Sequence, residues 1–190
     1  MMNKVKIAVF ASGSGSNFAA LVEACKAGRI PAEIVLMVTD KPDAFVNERA
    51  NEQGIPIAAI RPRDYETKDA YEQAIRKALH EAQVEWLILA GYMRLIGPVL
   101  LEAFPERIIN IHPSLLPSFP GKDAIGQAVA AGVKVTGVTV HLVDEGMDTG
   151  PILAQRAVDV VDGDVEQTAL AIHAVEHELY TATLQNLFKK

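Results

Sequence analysis

Val5–Asn17, VKIAVFASGSGSN, followed by FAALVEACKA to Ala27, decides the architecture of this chain. Val5 to Phe10 is a short apolar run with the length and composition of a buried strand. ASGSGSN is a glycine and serine loop, and Asn17 to Ala27 spaces its apolar residues by three and four, the period of an amphipathic helix. A strand that enters such a loop and leaves as a helix is one βα unit. The unit recurs outward along the chain: Ile34 to Val38, Ile57 to Ile60 and Trp86 to Ala90 read as strands, with Asp43 to Gln53 and Lys68 to Ala82 as helices between them. Repeated βα predicts a Rossmann-like α/β fold, a mostly parallel sheet with helices on both faces and right-handed crossovers. Beyond Asn110 the pattern changes. Val133 to Val143 and Ile152 to Val160 flank the turn DEGMDTGP, and Thr139 and His141 alternate with Val138, Val140 and Leu142. This predicts an antiparallel-leaning C-terminal addition to the sheet, followed by a helix from about Glu166 to Phe188. No linker or internal repeat interrupts the chain, so one domain is expected over residues 1–190.

Composition narrows the partners. With 190 residues and 49% hydrophobic content, there is enough apolar material for one sizeable core. The net charge of −6 and the lack of a Lys/Arg cluster argue against nucleic acid, and no apolar run reaches membrane-spanning length. The start Met1-Met2-Asn3-Lys4 has no signal-type apolar segment. A single cysteine, Cys25, permits no internal disulfide and reads as a small buried hydrophobe. These features fit a cytoplasmic protein that handles small molecules.

The first loop places Gly13, Gly15 and the amides around Ser16 and Asn17 at a helix N-terminus, where free N–H groups and the helix dipole favour an anion. A dinucleotide site asks for a third glycine where this chain has Phe18, although Asp40, after the second strand, stands where such a site would hold a ribose. A Walker A loop is excluded because no Gly-Lys-Ser/Thr follows. A phosphate monoester suits the short nest best, with a plain Gly/Ser turn as the functionless alternative.

The second notable stretch is Asn110–Gly121, NIHPSLLPSFPG. Asn110 and His112 lie two apart near the end of an apolar strand and so face the same way. Pro113, Pro117 and Pro120 then stiffen the exit. Asp148, 36 residues past His112, sits in a Gly-flanked turn that can return a carboxylate to the imidazole. Asn110 can stabilise an oxyanion, His112 can exchange a proton near neutral pH, and Asp148 favours the charged imidazole. The trio suits acyl transfer to an amine, and with no G-x-S-x-G elbow, direct transfer without an acyl-enzyme is the simpler route. Other polar candidates read as structural. His173 and His177 form no H-E-x-x-H motif and read as partly exposed helix histidines. His141 reads as a packing residue beside the site, and Arg61 to Asp64 as a solvated loop. No metal site is expected.

At these residues the chain resembles a known family. GSN at 15–17, AGYMRLIGP at 90–98, NIHPSLLPSFPG at 110–121 and GVTVHLVDEGMDTGPI at 137–152 are similar to glycinamide ribonucleotide formyltransferases, folate-dependent enzymes of purine biosynthesis. The resemblance spans nearly the whole chain and implies the formyltransferase fold, with 10-formyltetrahydrofolate as co-substrate and glycinamide ribonucleotide as acceptor. It also implies roles residue by residue. Gly15, Ser16, Asn17 and Glu176 would hold the acceptor. Met93, Arg94, Leu95 and Ile96 would line the folate pocket, with Lys68, Asn110 and the turn from Asp144 to Asp148 also touching the folate. Asn110, His112 and Asp148 would be catalytic. NIHPSLLP is shared by several 10-formyltetrahydrofolate enzymes, so a formyltransferase for another amine or a hydrolase is the nearest rival. Methionyl-tRNA formyltransferases carry an additional C-terminal domain and the hydrolases an N-terminal one. From other classes, the rivals are a nicotinamide-dependent oxidoreductase and a non-catalytic phosphosugar sensor.

Overall fold

In the computed structural model, which describes residues 3–189, β1 (Val5–Phe10), β2 (Ala32–Thr39), β3 (Ile57–Ala59), β4 (Trp86–Leu89), β5 (Ile108–His112), β6 (Val135–Leu142) and β7 (Ile152–Asp159) form one sheet. The order is β3-β2-β1-β4-β5-β6-β7. Strands β1 to β5 are parallel, while β6 runs antiparallel to β5 and β7 antiparallel to β6. The helices are α1 (Ser16–Lys26), α2 (Val46–Glu52), α3 (Lys68–Glu81), α4 (Pro98–Ala103), α5 (Ala124–Ala131) and α6 (Val165–Phe188).

The period of two along each strand builds two cores. Ile7, Val9 and Ala11 of the first strand segment, with Ile88 and Ile109, pack against Phe18 and Leu21 of α1, Val46 of α2 and Ile172 and Leu184 of α6. Ala8, Phe10, Leu87, Leu89 and Ile108 face the other way, onto Tyr71, Ile75 and Leu79 of α3 and Leu100 of α4. A parallel strand covered on both faces must be apolar, as β4 is and as β1 is from Ile7 to Phe10. Each fully buried large side chain among these contributes roughly 1.5–3 kcal/mol of transfer free energy. Tyr180 of α6 is buried, and its hydroxyl donates to the Leu89 carbonyl at 2.7 Å, with the Ile109 carbonyl at 3.2 Å, which fixes the last helix over β4 and β5. Burial raises its phenol pKa well above the usual value.

Boundaries shift for identifiable reasons. The helix expected from Asp43 starts at Val46, because Asn47 Nδ2 donates to the carbonyls of Lys41, Pro42 and Ala44 and closes residues 41–45 into a turn. β2 begins earlier than Ile34, since Val5 pairs with Ala32. Two short helices, α4 and α5, occupy stretches where no helix was expected. Cys25 is buried, and its thiol is pushed up to about 11 by desolvation.

The strand order reverses between β1 and β4, and the loops at the carboxyl ends there diverge to leave a crevice, the usual ligand position in open α/β sheets.

Candidate active site

A cleft of about 500 Å³ occupies that crevice, lined by the loop after β1, residues 89–96 after β4, the end of β5, residues 121–125, and 146–148 before β7, with His173 and Glu176 of α6. At one end, Gly15 begins α1 at φ 77°, a left-handed conformation suited to glycine. A Cβ on Gly15 would meet Val46 Cγ2 at 2.5 Å, so the loop lies directly on α2. Arg49 Nε holds the Ser14 carbonyl at 2.8 Å, and the Val46 amide holds that of Gly13 at 3.1 Å. The side chains of Asn17 and His173 both meet Glu176 Oε2 at 3.1 Å. Glu176 is 4% exposed, a buried carboxylate at the wall of the cleft. Its hydrogen bond raises the His173 pKa against a smaller opposing effect of desolvation, while burial lowers that of His177. His177 is half-buried, and its Nε2 and Asn17 Oδ1 have no hydrogen-bond partner among the described residues.

Asp40 does not wait for a ribose. Its Oδ1 accepts from Ser12 Oγ at 2.6 Å and its Oδ2 from Arg94 Nε at 3.0 Å, and Ser12 Oγ in turn accepts from the Met93 amide at 3.0 Å. Phe18, where a dinucleotide loop would have glycine, is wholly buried in the core. These two features remove the basis for a dinucleotide site. Instead, Asp40 and Ser12 tie the loop after β4 to the end of β1. The other end of that loop is held by Glu72, 2% exposed, which accepts from the Gly97 amide at 2.7 Å and the Leu100 amide at 3.3 Å. This caps α4 from another helix, because Pro98 opens α4 with no side-chain cap of its own. Between the anchors, Met93 and Leu95 stand exposed at 60% and 45% on the cleft, whereas Ile96 is buried. Lys68 does not line the cleft. Its Cε packs beside Gly97, 3.0 Å from where a Cβ there would stand.

Asn110 and His112 share the parity of Ile108 and so point to the α3–α4 side of the sheet, where β6 places His141 opposite Asn110 and Thr139 opposite His112. His112 Nε2 lies 2.9 Å from the Phe119 carbonyl, and Nδ1 lies 3.5 Å from Asp148 Oδ2. A carbonyl only accepts, so Nε2 carries a proton; a second ring proton at Nδ1 would complete a charge-assisted pair with the carboxylate. Asp148 sits at φ 56°, and its Oδ2 also accepts from the Gly121 amide at 2.8 Å, which couples the DEGMDTG turn to the proline-rich loop. His141 Nδ1 donates to the Leu142 carbonyl at 2.8 Å, leaving Nε2 to face Asn110 Nδ2 at 3.4 Å and Asp148 Oδ1 at 3.9 Å. Asn110 therefore directs its amide nitrogen toward His141 and keeps one N–H for the cleft. Asp144 is not at the cleft wall. It accepts from Thr149 Oγ1 at 2.6 Å and the Gly146 amide at 3.0 Å, which builds the turn and holds its own carboxyl below the usual range.

The family model described as formyl transferase matches residues 5–184 of this chain. The chain belongs to the formyl transferase family. Over 183 residues it is 55% identical to phosphoribosylglycinamide formyltransferase of Bacillus subtilis (strain 168), covering 96% of this chain and 94% of that one. The crystal structure of phosphoribosylglycinamide formyltransferase from Bacillus halodurans superposes with a TM-score of 0.95 at 54% identity, over 97% of this chain and 96% of that chain. That of glycinamide ribonucleotide transformylase 1 from Geobacillus kaustophilus gives a TM-score of 0.95 at 56% identity, over 98% and 100%. The cleft is also shaped by Ser12, Glu72, Phe119 and Gly121, to which the sequence assigned no role. Ser12, Phe119 and Gly121 lay within the quoted loops, but Phe119 and Gly121 act through backbone groups, and Ser12 and Glu72 through partners remote in sequence. Among the described residues, no three His, Cys, Asp or Glu side chains are grouped to hold a metal, and no helix is long and apolar enough to cross a membrane.

Proposed function

We propose that this chain transfers the formyl group of 10-formyltetrahydrofolate to the amine of glycinamide ribonucleotide, a step of purine biosynthesis. The observation that carries the reading is the meeting of Asn110, His112 and Asp148 in one cleft, between an anion-suited helix N-terminus and an exposed apolar loop. The similarity to phosphoribosylglycinamide formyltransferases supports the same substrate pair. In this reading the acceptor phosphate lies on the amides of Gly15, Ser16 and Asn17, with Glu176 beside the rest of the nucleotide. The pterin lies against residues 93–96. Lys68 and Asp144 act on the folate through the loops they pack on and build. One domain, residues 1–190, carries both halves, and a cytoplasmic setting suits its single buried thiol.

The reaction then needs no acyl-enzyme. The acceptor amine attacks the formyl carbon, forming the C–N bond and placing negative charge on the formyl oxygen. Asn110 Nδ2 and the Nε2–H of His112 donate to that oxygen, the latter after exchanging its present bond to the Phe119 carbonyl. Asp148 faces His112 Nδ1 at 3.5 Å and orients the ring. The proton lost by the amine passes to N10 of the folate, directly or through water by way of Asp148, as the bond from carbon to N10 breaks. Incubation of the purified protein with both substrates tests the reading, with formylglycinamide ribonucleotide and tetrahydrofolate expected in equal amounts. Release of free formate, or oxidation of NADH in place of transfer, would overturn it.

A further inference from the structure

The sheet ends differently at its two edges. β3 closes one side with 3 residues, Ile57–Ala59, and so offers another strand almost nothing to pair with. β7 closes the other with 8, Ile152–Asp159, of which only Val158 is buried. No proline or lysine interrupts it, and Val135, Ile152, Leu153 and Val161 add exposed apolar side chains on and beside it. Among the described residues no strand pairs with its outer side. A long open edge of this kind is a template for another strand.

The ladder with β6 decides which groups are free. The Val160 amide donates to the Lys134 carbonyl, so even-numbered residues of this stretch bond inward, and Gln155, Ala157 and Asp159 turn their amides and carbonyls outward. The register slips between Val140 and His141, which leaves Leu153 without a partner and confines the regular segment to 154–160.

We propose that this edge binds a second copy of the chain, β7 antiparallel to β7, about a two-fold axis through Ala157. An axis normal to the sheet keeps each side chain on its own face, so it pairs residues of like parity. A centre at Ala157 lays the whole regular segment against itself. Ala157 then meets its counterpart, where two small side chains allow close approach, while Arg156 meets Val158, Gln155 meets Asp159 and Ala154 meets Val160. No like charges stand opposed, and Arg156 is already neutralised by Glu178 at 3.2 Å. Beyond each end, the exposed Leu153 comes opposite the exposed Val161, which takes both out of water. Moving the centre to Arg156 would set two guanidinium groups face to face and draw the unpaired Leu153 into the ladder. This self-complementarity favours a copy of the chain over an unrelated strand.

Sedimentation of the full chain between about 1 and about 100 μM should show a monomer–dimer equilibrium. Ala157→Lys sets two ammonium groups against each other at the axis and should raise the dissociation constant at least about 100-fold at low salt. Ala157→Cys tests the register. In a glutathione buffer it should link two copies by a disulfide, because directly paired residues have Cα atoms about 5.5 Å apart, within disulfide reach. Asp159→Cys should not link to itself, since its counterpart lies four positions along the strand, roughly 14 Å away. The native Cys25 is buried and does not compete. A parent that stays monomeric at about 100 μM would overturn the proposal and leave the edge to a strand of another protein. So would a dimer that survives Ala157→Lys, or one linked through Asp159→Cys and not through Ala157→Cys. Should Ala157→Lys fail to fold, the two cysteine variants decide alone.

Discussion

Replacing Asp40 by alanine should damage donor binding and leave acceptor binding almost untouched. The carboxylate is 7% exposed and carries two bonds of unequal value. The one from Ser12 Oγ, at 2.6 Å, is a buried hydrogen bond to a charged acceptor, worth about 1.5–3 kcal/mol. The ion pair with Arg94, whose side chain is 46% exposed, is worth at most about 1 kcal/mol after solvent screening. Removal of both should lower unfolding stability by roughly 2–4 kcal/mol, read from urea transitions. It also releases the Ser12 hydroxyl that accepts from the Met93 amide, and with it the near end of the loop at 93–96. If about 1.4 kcal/mol of that loss must be restored when the pterin binds, donor KM rises about tenfold. Asp40→Asn keeps an acceptor for Ser12 but turns an N–H toward Arg94, so it should fall between the parent and alanine. Steady-state kinetics with each substrate varied in turn provide the assay. Equal rises in both KM values, or a donor KM unchanged in a destabilised protein, would refute the anchoring role.

Asp148→Asn and His112→Ala should each lower kcat by about 10²- to 10⁴-fold with modest change in either KM, since the lost interactions matter mainly in the transition state. The double variant should be little worse than either single one, and fully additive losses would show that the residues do not act as a unit. Gly15→Val should raise acceptor KM far more than donor KM, because a Cβ there meets Val46 at 2.5 Å and forces the amides off α2. An unchanged acceptor KM in a folded variant would remove the phosphate role. For His173, whose pKa is raised from 6.5 by Glu176, the contact is fully present below pH 6.5 and is lost as pH rises through the folded value. Its NMR titration midpoint should therefore lie above 6.5 and fall in Glu176→Gln, whereas a midpoint at or below 6.5 would contradict the contact.

The parallel sheet was legible because buried strands declare themselves by composition, and the turn from parallel to antiparallel showed in the alternation around Thr139 and His141. Asn110 and His112 could be paired from their spacing alone. What escaped the reading lacks a local signature. α4 and α5 have 6 and 8 residues, too few for a helical period to emerge. Asp40 was readable only as an acid after a strand, since its partners Ser12 and Arg94 lie 28 and 54 residues away. Lys68 packs beside Gly97 and Asp144 accepts from Thr149, and nothing in their own neighbourhoods signals those contacts. The bond from His112 to the Phe119 carbonyl is made by backbone, to which side-chain identity is blind.

The hydrogen bond between Asn17 and Glu176 joins residues 159 apart, so one wall of the cleft is assembled from segments far apart along the chain. During synthesis the glycine loop leaves the ribosome well before its partner. At about 5–20 residues per second, the loop and its helix wait on the order of ten seconds for the carboxylate that completes them. If Glu176 serves the acceptor as proposed, a chain truncated before α6 should show no acceptor binding.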